Sequence, residues 1–277
     1  MPVLDGSQPS ERPCRRFWGK RKLNEEDVVK HPVGTKQPEP LERGEVAGLH
    51  YFLRTPLDAG SQPRSAPAPL LLFLHGAGER GKDDGTELHK VRTHGPWKCH
   101  GADQFFILAP QCPKRRVWPV LVDEVLLVLE HVCKRDDVDK LRVCITGLSM
   151  GAFGAWTIAA CQPQRFAAIV SVCGGFIGTE VPVGTNLAEM LRLGNHVPPN
   201  PSHHAALCKK MPACLFFSKN DDRVKPICSR RILKILKPIN KQVRSTFYHS
   251  GGHQIWSKAY NTLELYAWLL ELPPAPS

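Results

Sequence analysis

The chain has 277 residues, a formal net charge of +11 and an ordinary hydrophobic content of 42%, enough for one large α/β domain with a sizeable core or for two small ones. No run of about 18 uninterrupted apolar residues occurs, which argues against a membrane span or stable membrane insertion. No apolar segment follows the basic residues near the N-terminus, so a secretory signal is not expected and the chain reads as cytoplasmic.

Residues 1–40 are rich in Pro, Lys, Arg and Glu with little periodicity, the composition of a disordered basic tail. Ordered structure is expected from near Glu45, with a strand over Leu49–Leu53, followed by a Pro/Gly/Ser-rich connection from Asp58 to Pro69. Leu70–Leu74 is a continuous apolar run of the kind that forms a central parallel strand. It ends in His75-Gly76-Ala77-Gly78-Glu79-Arg80-Gly81, a glycine-rich loop where α/β sheets place ligands. The G-K-[ST] ending of a phosphate loop is absent. His75 leaves the strand before the loop turns and reads as structural. A further buried strand is expected at Phe105–Leu108, then a helix over about Pro119–Cys133 with Val122, Val125, Leu126, Leu129 and Val132 on one face. Asp136–Lys140 reads as a charged turn.

Val143-Cys144-Ile145-Thr146 is short, apolar and β-branched. Directly after it comes Gly147-Leu148-Ser149-Met150-Gly151, and then a helical pattern from Ala152 to Cys161. G-x-S-x-G between a strand and a helix is the form of a nucleophile elbow, in which a strained turn exposes the serine hydroxyl above the sheet edge. Ala167–Val172 makes the next strand, residues 176–202 break the rhythm as a lid or loop insertion, and Ala213–Phe217 resumes it. A basic helix over Pro226–Lys237 is expected to bury Ile227, Ile232, Leu233 and Leu236. The last strand, Val243–Tyr248, exits into His249-Ser250-Gly251-Gly252-His253. A closing helix from about Ile255 to Leu270 is expected to pack Leu263, Tyr266, Ala267 and Leu270 inward. Strands alternating with helices imply one α/β domain over 41–277 with a mostly parallel sheet covered on both faces.

Three strand ends thus offer Ser149, an acid and a histidine in the order Ser, Asp, His. A serine hydroxyl is a poor nucleophile until an imidazole takes its proton, and a carboxylate fixes that imidazole's tautomer and stabilises its cation. His253, after two glycines, is the expected base; His249 lies directly at its strand end and is the rival. Asp221 and Asp222 are adjacent, and chemistry alone does not choose between them. The ten cysteines form no C-x-x-C pair or zinc-ribbon spacing, and Cys144, Cys173 and Cys214 fall within apolar runs, as reduced thiols do. No metal or organic cofactor is implied.

These motifs together resemble an α/β-hydrolase of the phospholipase/carboxylesterase/thioesterase type, closest to the polyhydroxybutyrate-depolymerase-like esterases called predicted peptidases. The matching segments are LFLHGAGERG from Leu72, APQCP from Ala109, DVDKLRVCITGLSMGAFGAW from Asp137, RFAAIVSVCGG from Arg165 and GGHQIW from Gly251. The resemblance implies Ser149 as nucleophile and His253 as base. It selects Asp221 as the acid, because Ser218, Asp221 and Val224 occupy the family's G-x-x-D-x-x-V spacing. It also implies backbone N–H groups of Ala77 and Met150 as oxyanion donors. The expected activity is hydrolysis of a small-molecule acyl ester or thioester, with peptidase or lysophospholipase-type action on the same triad as the alternative. A non-catalytic binding protein of this fold would not require all three triad residues.

One segment falls outside that reading. Between Cys208 and Arg244 there are eleven Lys/Arg against two Asp, a basic stretch open to an anionic surface or substrate, or simply a solvated helix face. No aromatic residues interleave the charges as nucleic-acid binding would favour, so no nucleic-acid partner is expected.

Overall fold

The apolar runs assemble one eight-stranded sheet: β1 (Leu41–Val46), β2 (Leu49–Arg54), β3 (Ala68–Leu74), β4 (Phe106–Pro110), β5 (Val138–Leu148), β6 (Ala168–Val172), β7 (Ala213–Ser218) and β8 (Val243–Tyr248). The structure is a computed structural model, which describes residues 41–57, 66–176 and 208–275. The expected tail over 1–40 and nearly all of the expected lid over 176–202 lie outside the described residues. Strand order is β1-β2-β4-β3-β5-β6-β7-β8. β2 is antiparallel to both its neighbours, and every other pairing is parallel.

Alternation along β3 shows how the sheet is filled. Leu70, Leu72 and Leu74 point into one core with α1 (Val122–Val132), α2 (Met150–Cys161) and α3 (Ile227–Leu236). Leu71 and Phe73 point into the other, with α4 (Trp256–Tyr260), α5 (Leu263–Glu271) and the 3₁₀ turns between β3 and β4. A central parallel strand has no solvent face, so both sets must be apolar. No helix among the described residues is long and apolar enough to cross a membrane. The nine described cysteines are all free thiols, and all but Cys161 are buried.

The structure corrects several boundaries. The first described strand begins at Leu41, ahead of the expected start near Glu45: Leu-Glu-Arg-Gly-Glu-Val forms edge strand β1, half-exposed, paired along its whole length with β2. An edge strand buries little, so its sequence carries no apolar signal. β5 starts at Val138 and absorbs the expected charged turn, with a register shift opposite Pro69 and Leu70. A 3₁₀ turn over Trp118–Val120 delays α1 to Val122. In α3, Ile227 is 41% exposed while Cys228 and Ser229 are buried. The expected closing helix is broken at Asn261–Thr262, which resets the helical phase. Leu265, Tyr266, Trp268 and Leu269 then face inward, Leu263 is 52% exposed and Ala267 is exposed.

Candidate active site

β5 runs into α2 through a turn so tight that backbone lies on backbone. A Cβ on Gly147 would sit 2.2 Å from the Gly151 carbonyl oxygen, and one on Gly151 would sit 1.9 Å from the Leu74 carbonyl oxygen. Between these glycines Ser149 takes φ 52° and ψ −118°, a region that costs an L-residue about 1–3 kcal/mol and persists only when surroundings enforce it. They do so here. The Ser149 N–H donates to Val172 O at 2.9 Å, and its carbonyl accepts from Ala152 N–H at 3.0 Å. Every residue of α2 from Met150 to Ala160 is buried, so the helix that starts under the serine is anchored on all sides.

The loop after β7 carries Asp221 and the loop after β8 carries His253. Asp221 Oδ2 lies 2.8 Å from His253 Nδ1, and His253 Nε2 lies 2.9 Å from Ser149 Oγ. The carboxylate is acceptor-only, so Nδ1–H donates to Asp221 and Nε2 is left to accept from the Ser149 hydroxyl. The other Asp221 oxygen accepts the N–H groups of Arg223 at 2.9 Å and Val224 at 2.8 Å, which fixes the carboxylate before the imidazole arrives. The two side chains differ in exposure as in position: Asp221 is buried, whereas Asp222 is exposed at the rim of the cleft. His249 packs edge-on against Phe247 and does not line the cleft.

Asn220 is a residue that sequence reasoning missed. Its side-chain oxygen accepts from Ser218 Oγ–H at 2.8 Å and from Gly252 N–H at 3.0 Å. Ser218 therefore helps tie the acid loop to the histidine loop. Only its adjacency to Asp221 hinted at this.

The glycine-rich loop after β3 forms the opposite wall. Ala77 opens a 3₁₀ turn and Met150 opens α2, and the first N–H of such an element has no acceptor within it. Three successive carbonyls of this loop are held by side chains. Trp118 Nε1–H donates to His75 O at 2.9 Å, His75 Nδ1–H to Gly76 O at 2.6 Å, and Arg80 Nε–H to Ala77 O at 3.0 Å. His75 Nε2 accepts the Cys112 N–H at 3.0 Å, which settles the tautomer. In a trans peptide N–H and C=O point in opposite directions. Holding the Gly76 carbonyl on buried His75 therefore aims the Ala77 N–H the other way, and Ala77 itself lines the cleft. Burial holds the His75 imidazole neutral, pulling its pKa down to about 4 against the opposing pull of its Gly76 bond and Glu79.

The cleft has a volume of about 750 Å³ and is lined by Ala77, Ser149, Asp222, Arg223, His253 and Trp256, among others. A second acid–imidazole pair also borders it: buried Glu79 contacts His94 Nδ1 at 2.5 Å. The Trp256 ring meets both His94 and His253 edge-on, with centroids 4.9 and 5.7 Å away. The group of potential metal donors among the described residues is Cys173, Asp221 and His253, with donor atoms within 4.8 Å of one another. The Asp221 hydrogen bond occupies the Nδ1 of that imidazole, and burial, followed by the Asp221 charge, pushes the Cys173 thiol up, away from the thiolate a metal needs.

Sheet order, covering helices and the elbow after the central strand define the α/β-hydrolase fold. A profile of the prolyl oligopeptidase family matches residues 115–272, more than half of the chain, and the chain belongs to that family. No curated protein matches it. Among solved structures it is similar to a thermostable esterase at 27% identity and a TM-score of 0.60, over 84% of this chain and 62% of the esterase. It also shares the fold of the Pyrococcus horikoshii acylaminoacyl peptidase, at 18% identity and a TM-score of 0.56, over 84% of this chain and 40% of that one. An S-formylglutathione hydrolase from Staphylococcus aureus matches at 16% identity and a TM-score of 0.62, over 87% of this chain and 99% of the hydrolase. The chain thus spans less than two thirds of the first two.

Proposed function

We propose that the chain is a serine hydrolase that cleaves carboxylic esters, and thioesters by the same chemistry, in the manner of the polyhydroxybutyrate-depolymerase-like esterases its motifs resemble. The observation that carries this reading is the hydrogen-bonded line from Asp221 through His253 to Ser149 Oγ at 2.8 and 2.9 Å. In the proposed reaction His253 Nε2 removes the hydroxyl proton as Ser149 Oγ bonds to the acyl carbon. The carbonyl oxygen becomes an oxyanion held by the Ala77 and Met150 N–H groups. His253 then passes its proton to the leaving alkoxide or thiolate, and the C–O or C–S bond breaks. Water, deprotonated by the same nitrogen, then attacks the acyl carbon; the acyl–Oγ bond breaks and His253 returns the proton to Ser149 Oγ. Asp221 stays ionised and stabilises the imidazolium in both halves. The chemistry requires no cofactor.

A peptidase reading on the same residues is favoured by the prolyl oligopeptidase family match. The two are separated by a panel of p-nitrophenyl esters of rising chain length, an acyl thioester and a peptide amide. A fluorophosphonate probe is expected to label the wild-type protein and not Ser149→Ala, whose turnover should fall by about 10⁶. Labelling that survives the substitution would sink the assignment.

A further inference from the structure

The basic segment has a place in the fold. Several arginines elsewhere on the surface meet acids: Arg116 pairs with Glu124, Arg135 with Glu42 and Asp137, and Arg165 with Glu130. Between Cys208 and Arg244 one of the two Asp residues, Asp221, is buried against His253. No ion pair among the described residues involves Lys209, Lys210, Lys225, Arg230, Lys234 or Lys241, and all six are exposed. The acids of α5, Glu264 and Glu271, lie across the sheet from α3.

The cations are arranged along α3. Ile227, Arg230, Lys234 and Lys237 recur at spacings of three and four and share one outward stripe. The helix extends over about 15 Å. At its far end Asn240 Nδ2–H donates to Met211 O at 2.8 Å, which sets the turn bearing Ile239 and Lys241 beside the one bearing Lys209 and Lys210. At its near end Arg223 stands on the rim of the cleft. Two large apolar side chains sit among these charges: Ile227 is 41% and Ile239 57% exposed.

We propose that the outer face of α3, with the two turns at its far end, is a docking surface for an anionic phospholipid bilayer, on which the protein lies peripherally. Exposed lysines and arginines attract anionic headgroups, and exposed isoleucines among them reach the acyl boundary. The stripe offers no aromatic side chain for a nucleic-acid base to stack on. Docking by this face brings the cleft rim at Arg223 to the lipid surface.

The test is cosedimentation of the full chain with phosphatidylcholine vesicles containing either no phosphatidylserine or about 30 mol% of it. Binding is expected only to the anionic vesicles, and should be lost as salt rises from about 0.05 to about 0.5 M. The combined variant Lys225→Gln, Arg230→Gln, Lys234→Gln and Lys241→Gln should weaken binding by about 10²–10³-fold. Its circular dichroism and its turnover of a soluble ester should match wild type. Ile227→Ser with Ile239→Ser should weaken vesicle binding while leaving retention on a heparin column unchanged. The proposal is overturned by equal binding to neutral and anionic vesicles, by no binding at low salt, or by full binding of the fourfold variant. Binding of a single-stranded oligonucleotide without binding of vesicles also overturns it. Fluorophosphonate labelling is independent of all these outcomes.

Discussion

His75→Leu tests how the glycine-rich loop serves the proposed reaction. The substitution keeps an apolar body where the ring meets Trp118 at 4.9 Å, but removes both ring nitrogens. Gly76 O loses its donor at 2.6 Å and the Cys112 N–H loses its acceptor at 3.0 Å, both in a buried setting. Each orphaned group costs about 1–3 kcal/mol, so stability should fall by roughly 2–6 kcal/mol. The rate effect has a different origin. With the Gly76 carbonyl released, the Gly76–Ala77 peptide is free to rotate and the Ala77 N–H no longer points reliably at the oxyanion. Losing one such donor costs about 10²–10³ in kcat. KM for a small ester should change little, because the donor acts on charge that develops only in the transition state. The assay is kcat and KM for p-nitrophenyl acetate on protein first shown folded by urea denaturation. Inhibition by a boronic acid, which mimics the tetrahedral state, should weaken in step with kcat. A folded variant within about threefold of wild-type kcat and boronate affinity would refute the argument that His75 aims this N–H.

Three further predictions concern the same site and the elbow beneath it. Asp221→Asn should lower kcat by about 10⁴ and Asp222→Asn by only a few-fold; equal residual rates in the ester assay would overturn the choice of Asp221. Gly151→Ala should destabilise at the upper end of the single-substitution range, about 4 kcal/mol or more, because its Cβ would meet a backbone carbonyl with no freedom to withdraw; a melting temperature near wild type would contradict that geometry. His75 also makes a pH prediction. Unfolded, its imidazole takes up a proton near pH 6.5, but in the folded protein only near pH 4. Between those values the unfolded chain binds more protons, so this group makes stability rise with pH by about 3 kcal/mol in total, with no further gain above the window. Urea denaturation from about pH 4 to 7 should show that slope in wild type and its reduction in His75→Leu; parallel curves would exclude the assignment.

Five of the eight strands are plain in the sequence because parallel central strands must be apolar on both faces: Leu70–Leu74, Ala167–Val172 and Ala213–Phe217 need no partner information to be read. β1 was not legible, since Leu41–Val46 is held by its ladder with β2 rather than by burial. Of the inward face of α5 only Tyr266 and, in part, Leu270 are legible, for a local reason. Helical phase was projected from Ile255 through Asn261 and Thr262, where the chain breaks and restarts. At the site, the serine, both candidate acids and both candidate histidines were visible as strand-end residues, because an α/β sheet gathers its strand ends at one edge. Which acid and which histidine approach Ser149 depends on loop geometry. The Asn220 tie joins residues 32 positions apart, and the Glu79–His94 contact joins residues 15 positions apart. Neither leaves a periodic mark.

The conformation of Ser149 has a thermodynamic consequence. The residue that performs the proposed chemistry occupies a backbone position better suited to glycine, so the fold carries a permanent free-energy deficit at its most important residue. Ser149→Gly should therefore yield a protein that melts higher than wild type by a few degrees, despite losing the hydroxyl and its contact with His253. Selection for stability alone would not keep a serine here. Its presence at φ 52°, a strain it shares among the described non-glycine residues with Ala47 and Cys173, is then a record of selection for reactivity rather than for stability.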